Sequence, residues 1–253
     1  MRLLPDSPLL VITDRLQAAP RSLEWVVAAV LEGGVRWISV REKDLSPADR
    51  LALLRCLQPL AEAAGALLMV HDDSEAVGRL GLGGLHLPAD GDAAVARERF
   101  PDRLIGQSWH GDNPMDKFLN IGGAGVPARD AAKGGEESIP AAAGRRAGTP
   151  ALLRNIDYLT LSPIFLTASK PGYGPALGVD NLAAACSRVA TPIIALGGIE
   201  ATNIAACMQA GAAGVAVMGS IMRAKDPAGA CAELLSCLKP PARPTNRAHR
   251  ETL

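Results

Sequence analysis

The sequence is poor in aromatic residues and carries no net charge. Phe, Trp and Tyr together make up 3% of the 253 residues, and 26 Lys and Arg balance 26 Asp and Glu. With so few aromatic rings, Ala, Leu, Val and Ile must fill the core, which favours layered packing of helices on strands over a small β domain built around aromatics. The neutral charge argues against a nucleic-acid partner, because binding a phosphate backbone needs a basic face.

Features of secreted and membrane-spanning proteins are also missing. The chain reaches Pro5 and Asp6 without an apolar stretch, which predicts no signal peptide. No apolar run approaches the roughly 18 residues that a membrane-spanning helix needs. The cysteines are odd in number and none forms a CxxC pair, so we expect small buried thiols in a reducing cytoplasm. They are Cys56, Cys186, Cys207, Cys231 and Cys237.

The sequence does contain a series of short apolar runs, each bounded by polar or glycine residues. Hydrophobic residues make up 48% of the chain, which excludes disorder throughout, and the length is compatible with one or two domains. Short runs rich in β-branched residues predict buried strands. The eight predicted strands are Leu9–Thr13, Trp37–Val40, Leu67–Val70, Gly84–Leu87, Leu104–Gly106, Tyr158–Phe165, Ile193–Leu196 and Val215–Met218.

Stretches with helical spacing separate most of these runs. Alternating strands and helices predict parallel pairing through right-handed crossovers, and eight such units predict an α/β fold, the closed (β/α)8 or TIM barrel. A doubly wound open sheet would need a glycine-rich turn after the first strand, and the residues after Ile12 form none. The clearest helical stretches are Ser22–Leu31, Pro47–Ala64, Asn203–Ala210 and Pro227–Leu238.

Two segments do not fit the repeating pattern. Residues 112–150 are rich in Gly, Ala and Pro and lack sustained periodicity, so we expect an insertion between strands five and six. It begins beside the barrel face that carries active sites, where either a tolerated loop or a lid fits. Residues 240–253 contain Pro and Arg and are expected to form a disordered tail. We therefore predict one barrel domain over residues 1–239.

Polar and glycine residues follow nearly every predicted strand, where the active site of a barrel lies. Gly197, Gly198 and Gly219 follow the last two strands, and exposed backbone N–H groups and helix N-termini at these positions suit a phosphate. The alternative is that these glycines serve tight turns alone. Side chains of both charge signs after the other strands predict a substrate with anionic groups.

Charged residues after three strands suggest a second anion site and a metal. Arg41, Lys43 and Lys170 could hold a group such as a diphosphate, whereas a solvated loop is the alternative for a run of mixed charge. Asp72 and Asp73 offer the oxygen ligands that Mg²⁺ uses together with phosphate oxygens. A surface turn is the alternative for this pair.

Three histidines follow or end predicted strands. His71 and His86 are interpreted as structural residues. His110 is the one placed to act as an acid or base, because it lies two residues after Ser108 at the end of the fifth strand.

Taken in order, seven motifs resemble the thiamine phosphate synthase and thiazole tautomerase family, whose fold is a (β/α)8 barrel. Each motif alone is modest, but seven in register over roughly residues 8–238, apart from the insertion, are specific. The matching stretches are Val11–Asp14, Val40–Ser46, Gly84–Leu87, Ile105–His110, Asp157–Tyr158 with Ser162–Gly172, Ala195–Ile199 with Asn203, and Gly211–Met218.

The resemblance implies a transferase that joins hydroxymethylpyrimidine diphosphate to hydroxyethylthiazole phosphate, forming thiamine phosphate and releasing pyrophosphate. It implies Mg²⁺ as the cofactor and small phosphorylated molecules as the partners. On the matching positions, it implies that Arg41, Lys43 and Lys170 hold the diphosphate, with Mg²⁺ on Asp72. The other implied contacts are Ser108 to the pyrimidine or pyrophosphate, Thr167 and Ser169 to the thiazole phosphate and pyrophosphate, and Gly197, Gly198, Met218 and Gly219 to the thiazole phosphate.

Several positions depart from the synthase pattern. Ser39 stands where the synthase has a glutamine, and His71 stands where it has an asparagine before the metal aspartate. The second metal carboxylate is missing in register, so Asp90 or Asp92 would have to replace it through a shifted loop. Gly219 stands where a serine is expected, a small loss if the contact is a backbone amide.

These departures keep two other functions open. They resemble the tautomerase branch, an isomerase, in which His110 would act as the acid and base, whereas Asp72 and Thr167–Lys170 keep the synthase character. A barrel that binds thiazole phosphate as a regulator, without catalysis, is the third reading. We expect no nucleic-acid or membrane partner and a cytoplasmic location, and the sequence leaves a homo-oligomer open.

Overall fold

A closed barrel of eight parallel strands forms the centre of the molecule. The computed structural model describes residues 3–110, 153–167 and 176–238. Each strand pairs with the next along the chain, and the last pairs with the first. The predicted (β/α)8 barrel is confirmed. The strands are β1 (Leu9–Ile12), β2 (Trp37–Val40), β3 (Leu67–His71), β4 (Gly84–Leu87), β5 (Leu104–His110), β6 (Tyr158–Ser162), β7 (Ile193–Leu196) and β8 (Gly214–Val217).

The largest differences from the predicted strand bounds occur in β5 and β6. β5 is predicted to end at Gly106 but continues to His110, because residues 106–110 pair with Tyr158–Ser162 of β6. β6 ends at Ser162 rather than at Phe165, since the following residue, Pro163, has no N–H to donate to the ladder. This long pairing places the end of β5 beside the end of β6.

Helices lie between the strands on the outside of the barrel. Hydroxyl groups cap two of them: Ser22 accepts from the N–H of Trp25, and Ser46 accepts from the N–H of Asp49. The four helices predicted from spacing are present within one residue of the expected bounds. In the described residues the helices are α1 (Arg15–Ala18), α2 (Leu23–Glu32), α3 (Pro47–Ala63), α4 (Ser74–Leu80), α5 (Ala93–Arg99), α6 (Gly178–Arg188), α7 (Ile204–Gln209), α8 (Gly219–Met222) and α9 (Pro227–Leu238).

Apolar side chains form two layers, one inside the barrel and one between the strands and the helices. Inside, the rings of Trp37 and Tyr158 meet edge to face with their centroids 4.9 Å apart. Two of the few aromatic residues therefore fill the interior of the barrel. The inner layer consists of Leu10, Ile12, Trp37, Met69, Leu104, Tyr158, Ile194 and Ala216.

A buried ion pair fixes the start of β6 against β5. The Asp157 side chain is 1% exposed, and Arg97 Nη2 lies 2.6 Å from its Oδ2. The same oxygen accepts a hydrogen bond of 2.9 Å from the N–H of Ile105. The predicted insertion, residues 112–150, and the predicted tail, residues 240–253, lie outside the described residues, so the domain bounds remain a prediction.

The prediction of buried thiols is wrong for two cysteines. Cys56 and Cys237 are exposed, because they lie on the solvent side of α3 and α9. Cys207 and Cys231 are buried as expected, and all five are free thiols. Within the described ranges, no helix is long and apolar enough to cross a membrane.

Candidate active site

A cavity of about 270 Å³ opens where the strands end at their C-terminal side. This is the end of a barrel that carries function. Most of the residues singled out from the sequence line it, although they come from loops far apart in the chain. Those residues are Arg41, Lys43, His71, Asp72, Ser108, His110, Thr167, Gly197, Gly198, Met218 and Gly219.

Three predicted site residues are not among the described residues that line the cavity. Ser169 and Lys170 lie outside the described residues. Asp90 is exposed on the loop after β4, which reaches the cavity through its neighbours Pro88 and Ala89. Asp92 is engaged elsewhere, because its carboxylate accepts from two N–H groups at the start of α5.

Gln107 holds the loop that carries Asp90. Its Nε2 donates to the carbonyl oxygens of Gly91 at 2.8 Å and Pro88 at 3.2 Å. The side chain is buried, with 8% of its surface exposed. The position of this loop is therefore set from β5, a role that the sequence pattern did not reveal.

The buried Glu42 positions the two cations on either side of it. Thr13 Oγ1 donates to Glu42 Oε1 at 2.6 Å, and the same hydroxyl accepts from the N–H of Arg41 at 3.0 Å. The other carboxylate oxygen accepts from the N–H of Arg15 at 3.0 Å. Arg41 and Lys43 line the cavity while Glu42 points away from it. The alternative of a solvated loop is wrong for Glu42, which is 2% exposed.

Burial raises the pKa of Glu42 above its ordinary value, and the hydrogen bonds from Thr13 and Arg15 oppose that rise. The carboxylate is thus held in a buried position by the N–H of Arg15 and by the hydroxyl of Thr13, which directly follows β1. This arrangement anchors the residues that follow β2 to the end of β1.

Asp72 has an uncommon backbone conformation beside the cavity. Its φ is 51°, and it is the one residue other than glycine with a positive φ in the described part of the chain. Its N–H donates to the carbonyl of His86 at 2.9 Å. Such conformations cost free energy and cluster at functional sites. The neighbouring Asp73 is occupied by a 2.8 Å ion pair with Arg50 and by capping α4.

A hydrogen-bond network of neutral side chains lies below the cavity. His86 Nδ1 is 2.9 Å from the hydroxyl of Tyr158, and its Nε2 is 3.0 Å from Ser108 Oγ. The ring of His71 lies 4.3 Å from that of His86, and its Nδ1 is 2.8 Å from Ser39 Oγ. His86 is fully buried and does not line the cavity, whereas His71 does line it.

Burial keeps both of these histidines neutral. It lowers the pKa of His86 to about 3, with a further contribution from the charge of Arg41. Burial likewise lowers the pKa of His71 well below its ordinary value, and His86, Arg41 and Lys43 act in the same direction. Neither imidazole therefore adds positive charge at neutral pH.

His110 stands at the rim of the same cavity. Its Nδ1 is 3.1 Å from the hydroxyl of Ser162, the residue opposite it on β6. His110 was expected at this face from the sequence, whereas Ser162 was not. Every second residue of β6 faces the interior of the barrel. Following that alternation from Tyr158 leads to Thr160 and Ser162, which both line the cavity.

The two glycines after β7 are required by the close approach of another loop. Gly197 and Gly198 have φ of 97° and 64°. A Cβ on Gly197 would lie 2.9 Å from Pro163, and a Cβ on Gly198 would lie 2.4 Å from the carbonyl oxygen of Leu166. The two glycines therefore do serve a tight turn, which was the alternative interpretation, and their backbone also lines the cavity.

The expected helix N-terminus at this turn is displaced. α7 begins only at Ile204, six residues beyond Gly198, because Asn203 closes an intervening loop. Asn203 Nδ2 donates to the carbonyl of Gly198 at 2.8 Å, and its Oδ1 accepts from the N–H of Glu200 at 3.0 Å. Asn203, rather than a helix, fixes the orientation of the glycine backbone here.

The turn after β8 behaves as predicted, since α8 begins at Gly219 itself. Met218, Gly219 and Ser220 line the cavity there, together with Arg223 at the end of this single helical turn. Ser220 and Arg223 were not among the residues expected here from the sequence. The spacing of four residues from Gly219 to Arg223 was the available signal, because it brings both to one side of a helix.

Within the described ranges, no group of three or more His, Cys, Asp and Glu residues is arranged to hold a metal ion. Of the predicted pair Asp72 and Asp73, Asp72 lines the cavity. Arg41 and Lys43 supply positive charge after the end of β2, and backbone amides lie after the ends of β7 and β8. It can therefore accommodate two anionic groups within one cavity.

Comparison with known proteins gives a consistent result. Residues 9–123 and 142–221 match the family model described as thiamine monophosphate synthase. A protein of Geobacter sulfurreducens is 38% identical over 240 residues, covering 94% of this chain and 97% of the relative. A protein of Roseiflexus castenholzii named thiamine-phosphate synthase is 33% identical, covering 87% of this chain and 83% of the relative.

Solved structures share the fold. Thiamine phosphate pyrophosphorylase from Pyrococcus furiosus superposes with a TM-score of 0.69 at 24% identity, covering 91% of this chain and 95% of that one. A 3-hexulose-6-phosphate synthase superposes with a TM-score of 0.57 at 15% identity, covering 92% and 100%.

Proposed function

The chain belongs to the thiamine monophosphate synthase family, and from that premise we propose that it condenses hydroxymethylpyrimidine diphosphate with hydroxyethylthiazole phosphate. The products are thiamine phosphate and pyrophosphate. The observation that supports the proposal is that one cavity is lined both by the side chains of Arg41 and Lys43 and by the backbone after β7 and β8, two sets of groups that suit anions. Two phosphorylated substrates bound together require such a pair of positions.

Arg41 and Lys43 bind the diphosphate of the pyrimidine substrate, with Lys170 from the loop after β6. The bond between the methylene carbon and the diphosphate oxygen breaks, and its electron pair leaves with pyrophosphate. The cations neutralise the charge that develops on this leaving group, which lowers the barrier to ionisation. Ser108, at the end of β5, contacts the pyrimidine or the leaving group, and Thr167 and Ser169 contact the phosphates.

The backbone after β7 and β8 binds the phosphate of the thiazole substrate. Gly197, Gly198, Met218 and Gly219 contribute amide groups whose orientation depends on the closed loop and the single turn of α8. With its phosphate held there, the thiazole nitrogen attacks the methylene carbon and forms the new carbon–nitrogen bond. Enclosing both substrates in one cavity keeps water from attacking the pyrimidine cation that remains when pyrophosphate leaves.

The residues present fit a Mg²⁺ ion bound through the diphosphate. Asp72 offers one carboxylate at the cavity, and Mg²⁺ is commonly held by one or two carboxylates together with phosphate oxygens and water. When bound, the ion supplies positive charge to the diphosphate oxygens. Asp90 remains the proposed second ligand. The Asp72→Asn variant is expected to need more Mg²⁺ for half-maximal pyrophosphate binding, and Asp90→Asn tests the second carboxylate in the same titration.

Incubation of the purified protein with both substrates and MgCl₂ tests the activity. Thiamine phosphate should form only when both substrates are present, and Lys170→Ala should weaken diphosphate binding and turnover. The absence of thiamine phosphate, with thiazole phosphate still bound, would overturn the proposal.

A second candidate, thiazole tautomerase, is favoured by one observation. His110 lines the cavity and its Nδ1 is hydrogen-bonded to Ser162 at 3.1 Å, which suits an acid–base group. An isomerisation that the wild type performs and His110→Ala loses, without any condensation, would favour this candidate over the synthase. Binding of thiazole phosphate with neither reaction would favour a regulator.

We also propose that both partners are small phosphorylated molecules and that the protein works in the cytoplasm. Five free thiols fit a reducing compartment.

A further inference from the structure

A chain of hydrogen bonds runs from the apolar interior of the barrel to the cavity. Trp37 Nε1 donates to Met69 Sδ at 3.1 Å, and the hydroxyl of Tyr158 lies 3.5 Å from the same sulfur. That hydroxyl is 2.9 Å from His86 Nδ1, and His86 Nε2 is 3.0 Å from Ser108 Oγ. Ser108 lines the cavity. Met69, Tyr158 and His86, which link Trp37 to Ser108, are fully buried, so bulk solvent does not compete for their hydrogen bonds.

Two proton arrangements are compatible with these distances. In the first, the Tyr158 hydroxyl donates to His86 Nδ1, and His86 carries its proton on Nε2 and donates it to Ser108 Oγ. In the second, His86 Nδ1 carries the proton and donates it to Tyr158, whose own proton turns to Met69, and Ser108 donates to Nε2. The two arrangements give Ser108 opposite roles toward a ligand, because a hydroxyl has a single proton.

The chemistry of the groups selects between them. A thioether is a weak acceptor, and Met69 Sδ already accepts from Trp37, which can only donate. An unprotonated imidazole nitrogen is a far better acceptor for a phenol. The first arrangement pairs the phenol with the imidazole, whereas the second leaves the phenol with the sulfur and uses the phenol oxygen as an acceptor. In a buried network, this difference is not reduced by water.

We propose that Tyr158 is a positioning residue that fixes the proton of His86 on Nε2, so that Ser108 accepts from His86 and directs its own proton into the cavity. Thr160 Oγ1 is 3.4 Å from Nε2, farther than the 3.0 Å of Ser108 Oγ, so Ser108 is the favoured acceptor of that proton. Ser108 is thereby a dedicated hydrogen-bond donor. Its acceptor, an oxygen of the pyrimidine diphosphate, rests on the proposed function, whereas the proton position of His86 does not.

Nitrogen-15 NMR of the histidine side chains measures that position directly in the full chain without ligand. The chain contains four histidines, and the His71→Asn, His110→Asn and His249→Asn variants assign the His86 signals by elimination. We expect Nε2 at the protonated and Nδ1 at the unprotonated chemical shift. A wild-type spectrum with the proton on Nδ1 would overturn the proposal without the need for any variant of the network.

Two variants separate the role of Tyr158 from packing. Tyr158→Phe removes the donor to Nδ1, so His86 should lose its single tautomer and show shifts averaged between the two forms. Met69→Leu conserves volume and removes the sulfur, and it should leave the tautomer unchanged. A tautomer that survives Tyr158→Phe, or that changes in Met69→Leu, would contradict the assignment, because the second arrangement depends on the sulfur and the first does not.

The effect on Ser108 is measured with inorganic pyrophosphate and Mg²⁺ in a calorimetric titration. Ser108→Ala should raise the Kd about ten-fold, and Tyr158→Phe about three-fold. The double variant should bind no more weakly than Ser108→Ala, because Tyr158 acts through Ser108. Independent, multiplicative losses would overturn the coupling. A wild type that does not bind pyrophosphate would overturn the proposed function while the NMR result stands.

Discussion

The hydroxyl of Thr13 and the carboxylate of Glu42 form a buried hydrogen bond of 2.6 Å between the end of β1 and the segment after β2. The same hydroxyl accepts from the N–H of Arg41 at 3.0 Å. A residue that faces away from the cavity thus fixes the backbone from which Arg41 and Lys43 reach into it. The hydrogen bonds from Thr13 and Arg15 orient the carboxylate of Glu42, while burial disfavours its charged form.

Replacement of Glu42 by Gln should change how stability depends on pH. The raised pKa of Glu42 means that the folded protein holds this proton to higher pH than the unfolded chain does. Its contribution is therefore present below the ordinary value of 4.5 and is lost as the pH rises through the raised value. Urea unfolding at several pH values should show the free energy of wild type minus that of Glu42→Gln falling as pH rises. A constant difference would contradict this.

The buried histidines should give a dependence of the opposite sign. His86 has its pKa lowered from 6.5 to about 3, so between these values the unfolded chain binds a proton that the folded protein does not. The contribution of His86 to the free energy of unfolding is complete above pH 6.5. It declines toward pH 3, by at most about 1.4 kcal/mol per pH unit. The His86→Asn variant should lose stability less steeply over this range. Equal slopes for variant and wild type would show that His86 does not contribute.

Removal of the Arg41 guanidinium should weaken anion binding specifically. Arg41→Ala is expected to raise the Kd for pyrophosphate with Mg²⁺ about 10- to 100-fold, because a charged hydrogen bond is lost in a partly enclosed site. Arg79→Ala is the matched control, since Arg79 forms an exposed ion pair with Glu75 on α4 and does not line the cavity. Similar losses in both variants would indicate a general charge effect and contradict the assignment.

The Arg97–Asp157 pair should be important for stability. Asp157→Asn leaves the partly buried Arg97 without its counter-charge, and we expect a loss of about 3 kcal/mol in the free energy of unfolding. Glu75→Gln breaks an exposed pair that water already screens, and it should leave the free energy of unfolding nearly unchanged. Chemical denaturation of both variants checks the contrast, and a loss below 1 kcal/mol for Asp157→Asn would be inconsistent with a buried pair.

Deletion of residues 120–147 tests the predicted insertion. β5 and β6 pair directly over five positions, and Asp157 ties their beginnings together, so we expect the barrel to form without residues 120–147. The melting temperature should stay within a few degrees of the wild-type value. A large decrease would contradict the loop interpretation, whereas a folded variant without activity would favour a lid.

The sequence was sufficient for the barrel because each strand is a short apolar run bounded by polar residues. Trp37–Val40 and Ile193–Leu196 are predicted with their observed bounds for this reason. The extension of β5 to His110 was not predictable, because it depends on pairing with β6, more than 40 residues away in sequence. Pairing over such distances leaves no local pattern.

The lining of the cavity was predictable where its residues directly follow strand ends, as for Arg41, Asp72 and the glycines. The burial of Glu42 was not predictable, since nothing in the sequence indicates that Thr13 lies within hydrogen-bond distance. The Tyr158–His86 contact is similar, because only the register of β4, β5 and β6 brings these two side chains together. Contacts across strands decide these roles, and they arise only in the folded barrel.

Phosphorus-31 NMR of one reaction mixture tests the central claim most directly. The mixture contains the purified protein, MgCl₂, hydroxymethylpyrimidine diphosphate and hydroxyethylthiazole phosphate. The account predicts that the diphosphate signals and the thiazole phosphate signal disappear together, while pyrophosphate and thiamine phosphate appear in equal amounts. Unchanged substrate signals, under conditions in which the protein binds both substrates, would contradict it.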